Sequence, residues 1–171
     1  MANSSKLAPF ILQWEGGFVN DPLDLGGATN KGITISTFTE YKKRKGLKAP
    51  TVQDLKNISD EDWHAVFKGL YWDRWKADDI KSQAVANILV DWVWASGVHG
   101  IKRPQRLLGV TEDGIVGAKT IATLNAKDPV ELFRMIKADR VKFIDEICAK
   151  RPANNRFKKG WLNRINAIKY E

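Results

Sequence analysis

The sequence predicts a mostly α protein with one small irregular or β segment near residues 18–35. Apolar side chains recur at the helical i, i+3, i+4, i+7 spacing along most of the chain, and capping residues, glycines and prolines bracket those stripes. The densest cluster of backbone punctuators falls between Phe18 and Ile35, which interrupts any helix there. With 171 residues, 43% hydrophobic and 28% charged, the chain has the size and composition of one ordinary domain or two small ones around a buried core.

Leu7, Phe10, Ile11 and Trp14 make a short amphipathic helix after the capping run Asn3-Ser4-Ser5 and before Gly16-Gly17. Asn20-Asp21-Pro22, Gly26-Gly27 and Gly32 then favour a long ordered loop or a small hairpin. Ser36 or Thr37 is expected to cap a helix running to Gly46, and Thr51 to Asn57 forms a further helical turn. Ser59 caps the next helix, with Asp62 at its third position and Trp63, Val66, Phe67, Leu70 and Tyr71 as the apolar stripe. Ser82 to Ser96 is the expected central helix, with Val85, Ile88, Leu89, Trp92 and Val93 inward and Gly97 as its stop. A short helix around Pro104 to Leu108 leads into a turn-rich linker over Gly109 to Gly117, and Ala118 to Asn125 is helical. Asp128-Pro129-Val130-Glu131 combines a capping Asp, Pro at the first position and Glu at the third, so a long helix to about Ala149 follows. Arg151-Pro152 ends it, and Phe157, Trp161, Ile165 and Ile168 mark the last helix.

Several function classes are excluded. Cys148 has no disulfide partner, and His64 and His99 complete no metal-ligand cluster, so neither metal nor cofactor is expected. No Gly-x-Ser-x-Gly elbow or phosphate loop is present. The longest apolar run, Ala84 to Val90 broken by Asn87, is far short of the roughly 20 residues that cross a bilayer, so no stable membrane insertion is expected. Residues 1–100 carry twelve basic and twelve acidic side chains and residues 101–171 sixteen and eight, so the net charge of +8 lies in the second part. An anionic partner is implied, with nucleic acid, an anionic membrane surface and an acidic cell-wall polymer as the candidates, and no nucleic-acid recognition motif accompanies the charge.

The chemistry is concentrated in Glu15 to Thr34. A carboxylic acid at a helix C-terminus faces the negative end of the dipole, and Trp14 beside it would withdraw water; both disfavour the ionised form. Glu15 is thus placed to act as a general acid, whereas Asp21 and Asp24 lie in a Gly-rich loop whose N–H groups can hold a carboxylate ionised. Two such carboxyl groups are the minimum equipment for hydrolysing a glycosidic bond. From spacing alone, a solvated helix-end acid and turn-forming aspartates are the commoner reading, since most helix-end acids perform no chemistry.

Glu15-Gly16-Gly17-Phe18 and Gly26-Gly27-Ala28-Thr29-Asn30-Lys31-Gly32-Ile33-Thr34 resemble the Glu-Gly-Gly-Tyr signature and following Gly-Gly-x-Thr-x-x-Gly-Ile-Thr segment of glycoside hydrolase family 108. These are lysozyme-like N-acetylmuramidases of phage endolysins and of bacterial muramidases linked to secretion. The resemblance implies a lysozyme-like helical fold and makes Glu15 the essential catalytic residue; Phe18 stands where Tyr is usual. Asp24, nine residues after Glu15, and Thr29, five further on, are similar to the Glu…Asp…Thr arrangement of phage-type lysozymes. That similarity implies that Asp24 stabilises an oxocarbenium-like transition state or orients water, and that Thr29 holds the water or an acetamido group. Asp21 is the alternative to Asp24, and Asp21, Thr29 and Asn30 are the loop's candidate substrate contacts.

Residues from about 86 to 165 resemble the predicted peptidoglycan-binding region that follows this segment, through Leu107-Leu108-Gly109-Val110, Asp113-Gly114-Ile115-Val116-Gly117-Ala118-Lys119-Thr120 and Phe157-Lys158-Lys159-Gly160-Trp161-Leu162-Asn163-Arg164. Ala95 departs from an expected Asn, and Ala118 from a frequent Pro. The domain expectation is a catalytic region over 5–85 and a binding region over 86–168, packed as one monomeric unit. Trp63 and Trp92 fall on helical stripes and belong to the core, while Trp72, Trp75 and Trp94 fall off or at the edge of them and are the candidate rings for sugar stacking, Trp72 and Trp75 foremost. Peptidoglycan glycan strands are the expected partner, and cleavage of the β-1,4 bond between N-acetylmuramic acid and N-acetylglucosamine the expected reaction. A lytic transglycosylase, or a wall-binding module without catalysis, is the rival. The start Met-Ala-Asn-Ser-Ser-Lys lacks a signal-peptide core, which implies synthesis in the cytoplasm and holin-type or dedicated export.

Overall fold

A computed structural model of the chain describes residues 1–23 and 26–171. It is mostly α, as predicted: α1 (Ser4–Trp14), β1 (Thr29–Asn30), β2 (Ile33–Thr34), α2 (Ile35–Arg44), α3 (Val52–Lys56), α4 (Asp60–Phe67), α5 (Gln83–Ser96), α6 (His99–Leu108), α7 (Ala118–Ala126), α8 (Pro129–Lys150) and α9 (Asn155–Ala167). A π-helical turn spans Lys68–Trp72, and short 3₁₀ turns span Asp73–Trp75, Ala77–Asp79 and Pro152–Asn154. The chain divides into two compact units, Ser4–Asp73 and Met1–Asn3 with Arg74–Glu171.

In the first unit, α1 buries Ser4, Leu7, Ala8 and Ile11 and keeps Pro9 on its exposed side. Its Ser4 hydroxyl lies 3.0 Å from His64 Nε2 on α4. The hairpin pairs Thr29 with Thr34 and Asn30 with Ile33, leaving Lys31 (φ 51°) and Gly32 (φ 81°) as a two-residue turn. Positive φ at both positions matches the right-handed twist of a tight hairpin, and only the second is glycine. Because β2 runs directly into α2, the cap is Thr34 rather than Ser36 or Thr37; its Oγ1 accepts the Thr37 N–H at 3.1 Å. Thr51 and Asp54 form a capping box on α3, and Ser59 caps α4. Trp63 stacks on Phe67 with centroids 5.4 Å apart. After Phe67 the wider π turn shifts the inward register, so Trp72 is fully buried while Leu70 and Tyr71 stay half-buried.

In the second unit α5 is central, as expected, and buried on nearly every side. Helix α6 starts at His99, five residues before the expected start at Pro104. It approaches α5 at Gly100, where a Cβ would sit 2.6 Å from the Val93 nitrogen and 2.7 Å from the Trp92 carbonyl carbon. Pro104 has no N–H to give the Gly100 carbonyl four residues earlier. That carbonyl accepts the Trp75 indole N–H at 3.0 Å instead. Gln105, fully buried, donates to Asp113 and to the Ile115 carbonyl and accepts from the Gly114 N–H, so it moulds the Asp113-Gly114 turn. The Arg103 guanidinium grips Asp139 with two hydrogen bonds and reaches Glu146, both on α8. Asp128 caps α8 as expected, accepting the Glu131 N–H at 2.9 Å.

Candidate active site

Glu15 follows the last residue of α1 and is half-buried. Its N–H returns to the Leu12 carbonyl at 3.3 Å, tightening the helix end. The next residue is tied to the hairpin: the Gly16 carbonyl accepts the Lys31 N–H at 3.1 Å. Val19 and Thr29 exchange both backbone hydrogen bonds at 2.8 Å, an antiparallel bridge. Glu15 and Thr29, fourteen residues apart, are thereby held in one backbone frame. Such a frame fixes where the two side chains leave the backbone.

The hairpin is anchored in turn. Asn30 is 5% exposed, and its amide nitrogen donates to the Leu55 and Lys56 carbonyls at the end of α3. The Lys31 carbonyl accepts the Trp63 indole N–H at 3.0 Å, and its ammonium lies 3.6 Å from Asp60. The Lys56 ammonium sits 5.7 Å from the centre of the Phe18 ring, so the residue that replaces the usual Tyr keeps its packing role. Lys31, absent from the sequence expectations, is the hub of this frame through its backbone. The one legible signal for it was its place before Gly32 in a two-residue turn.

The predicted site residues separate. Glu15 and Thr29 share the frame, and Thr29 is half-buried in β1. Asp21 is exposed, and its carboxylate accepts the Leu23 N–H at 2.9 Å, a turn-forming contact. Asp24 lies outside the described residues. Asn30 is corrected from substrate contact to structural clamp, because burial and two carbonyl partners occupy its amide nitrogen. Trp72 and Trp75 are corrected as well: each is 0% exposed, so neither presents a face to a sugar. Being off one helix's stripe did not expose them, since the π turn rotates Trp72 inward and the carbonyl left unpaired by Pro104 draws in the Trp75 indole. Trp14 also differs from expectation; it is 36% exposed, with its ring against Phe10 at 6.3 Å.

Exposed apolar side chains cluster in sequence around Glu15: Trp14, Val19 at 58% and Leu23 at 91%.

A mostly helical chain with one small two-stranded hairpin after its first helix has a lysozyme-like fold. Residues 8–97 match the family described as Glycosyl hydrolase 108, more than half of the chain, and the chain belongs to that family. Residues 99–166 match the family described as Predicted Peptidoglycan domain. It is a glycoside hydrolase that acts on peptidoglycan. The fold is similar to the structure of Brucella abortus SagA, with 26% identity, a TM-score of 0.78, and coverage of 96% of this chain and 90% of that one. No curated protein matches.

Proposed function

We propose that the protein is an N-acetylmuramidase that cleaves the β-1,4 bond between N-acetylmuramic acid and N-acetylglucosamine. The observation that carries this reading is the backbone frame that fastens the Glu15 segment to the hairpin strand bearing Thr29. Glu15 gives its proton to the bridging oxygen as the bond from the anomeric carbon to that oxygen breaks. A loop carboxylate, Asp24 in preference to Asp21, faces the developing oxocarbenium charge, and Thr29 holds the water or the acetamido group. Water attacks the anomeric carbon and leaves a reducing end. The turn-forming bond of Asp21 to Leu23 supports the preference for Asp24.

Residues 5–85 carry the chemistry in this reading and residues 86–168 hold the wall, acting in a monomer. Made in the cytoplasm, the enzyme reaches the wall through a holin-type or dedicated route, as an endolysin or a secretion-associated muramidase. The test is digestion of purified sacculi followed by mass spectrometry of the fragments. Reducing N-acetylmuramic acid ends that vanish in Glu15→Gln support the reading. Anhydro-muramic ends would assign a lytic transglycosylase instead.

A further inference from the structure

A hairpin with two residues in each strand buries too little to fix its own position, so its place is set by what it is tied to. Two ties reach neighbouring helices. Asn30 donates to the carbonyls at the end of α3, and the indole N–H of Trp63 on α4 donates to the Lys31 carbonyl at 3.0 Å. Lys31 is the residue on which the second tie acts. Its backbone is left-handed (φ 51°), a conformation that a non-glycine residue keeps only where its surroundings impose it. Both of its peptide groups are engaged, the carbonyl by Trp63 and the N–H by the Gly16 carbonyl at 3.1 Å. The residue after Glu15 is thus linked to α4 through a single intervening residue.

Trp63 itself is held by its helix and by the core. Its side chain is 1% exposed and lies against the Phe67 ring, with centroids 5.4 Å and planes 20° apart. Ser59 caps the helix that carries it, accepting the Asp62 N–H at 3.0 Å. A stiff buried ring that offers an N–H to a turn acts as a fixed point, because a buried donor that loses its acceptor is costly. Displacing the turn therefore meets resistance at the indole. Gly16 follows the turn through the Lys31 N–H, and Thr29 stands two residues before Lys31 in β1.

We infer that Trp63 is a positioning residue of the hydrolase: through the peptide groups of Lys31 it sets where the side chains of Glu15 and Thr29 leave the backbone, and so their alignment at the scissile bond. The inference rests on the reading of Glu15 as the general acid. It gives a second duty to a side chain that touches no substrate and that belongs, by its place on a helical stripe, to the core.

The experiment replaces Trp63 in the full-length protein in two ways. Trp63→Phe keeps a ring against Phe67 and removes the N–H. Benzothienylalanine at position 63 keeps the shape of the indole and puts sulfur in place of the N–H, so a folding defect in the phenylalanine variant does not decide the outcome. kcat and KM are measured on solubilised, peptide-free glycan strands, and exchange of the Lys31 amide proton is followed by NMR. In both variants kcat is expected to fall about tenfold to a hundredfold, the cost of a small misplacement of a catalytic group. KM is expected to hold, since the lost contact acts on the reacting geometry and not on strand binding, and Lys31 exchange is expected to quicken. Val66→Ala, a deletion in the buried face of the same helix, should lower the thermal midpoint and leave kcat as it was. An unchanged kcat or an unchanged Lys31 exchange rate in the benzothienylalanine variant overturns the inference. A matching fall of kcat in Val66→Ala overturns it too, because any weakening of the core would then suffice. Glu15→Gln is run beside them. Cleavage by Glu15→Gln at the parent rate brings down the general-acid reading and this inference with it, whereas an inactive Glu15→Gln beside a fully active benzothienylalanine variant counts against this inference alone.

Discussion

The two units organise polar groups in opposite ways. In Ser4–Asp73, positioning relies on main-chain hydrogen bonds: Gly16 to Lys31, Val19 to Thr29, and Asn30 to the end of α3. In the second unit it relies on buried charge, with Asp91 between Arg140 and Arg164 and Arg103 across Asp139 and Glu146. A main-chain frame holds the Glu15 and Thr29 segments through groups that a side-chain substitution leaves in place. A buried ionic centre behaves otherwise, because each charge removed strands its partner.

The largest contrast is expected from the pair Glu15→Gln and Asp91→Ala. Glu15→Gln should lower the rate of sacculus digestion by about 10²–10⁴-fold, the usual worth of a general acid, with an unchanged thermal midpoint by circular dichroism. A large drop in that midpoint would mean that Glu15 supports the fold, and the contrast would fail. Asp91→Ala strands two arginines and should destabilise by about 3–5 kcal/mol, read from urea unfolding. A near-neutral result would show that water already screens the triad.

Gly100→Ala sharpens the contrast on steric grounds. Its new methyl meets the α5 backbone at 2.6 Å, which forces α6 outward at a cost of about 1–3 kcal/mol. The same variant should loosen the bond from Trp75 to the Gly100 carbonyl, visible as a shift in the Trp75 indole N–H resonance. An unchanged resonance and stability would show that the helices separate freely there.

The smallest effect concerns pH. Hydrogen bonding from Arg103 holds the Glu146 carboxyl below the usual carboxylate range, and the Ile115 N–H, then Gln105, do the same for Asp113. A carboxyl depressed in the folded state contributes stability that is present above its unfolded pKa and is lost as pH falls through the folded value. Unfolding midpoints should therefore decline below the ordinary carboxylate range. Glu146→Gln should flatten that decline slightly, and an unaltered profile would show solvent screening of this partly buried pair.

Local signals served well where structure is local. The caps at Thr51, Ser59, Ser82 and Asp128 are all observed, because a cap involves residues three apart. The Glu15 to Thr34 stretch was legible as a unit for a related reason: its acid, glycines and threonine are packed into twenty residues. Reading failed where a distant partner set the outcome. Trp72 and Trp75 were placed by a π turn and by a proline-freed carbonyl twenty-five residues away, and Asn30 by carbonyls of α3. The one visible hint of the buried ionic centre was Asp91 itself, an acid flanked by Val90, Trp92 and Val93 in an otherwise apolar helix.

Sequence by itself determined the helical class, most helix starts and the family resemblance of the Glu15 to Thr34 segment, since periodicity, capping and motif spacing act within a few turns of chain. Only tertiary structure decided that two tryptophans are core and that Asn30 is a clamp. It alone brought Asp91 together with Arg164, seventy-three residues away. Burial and ion pairing are properties of surfaces meeting in space, and no local pattern encodes which surfaces will meet.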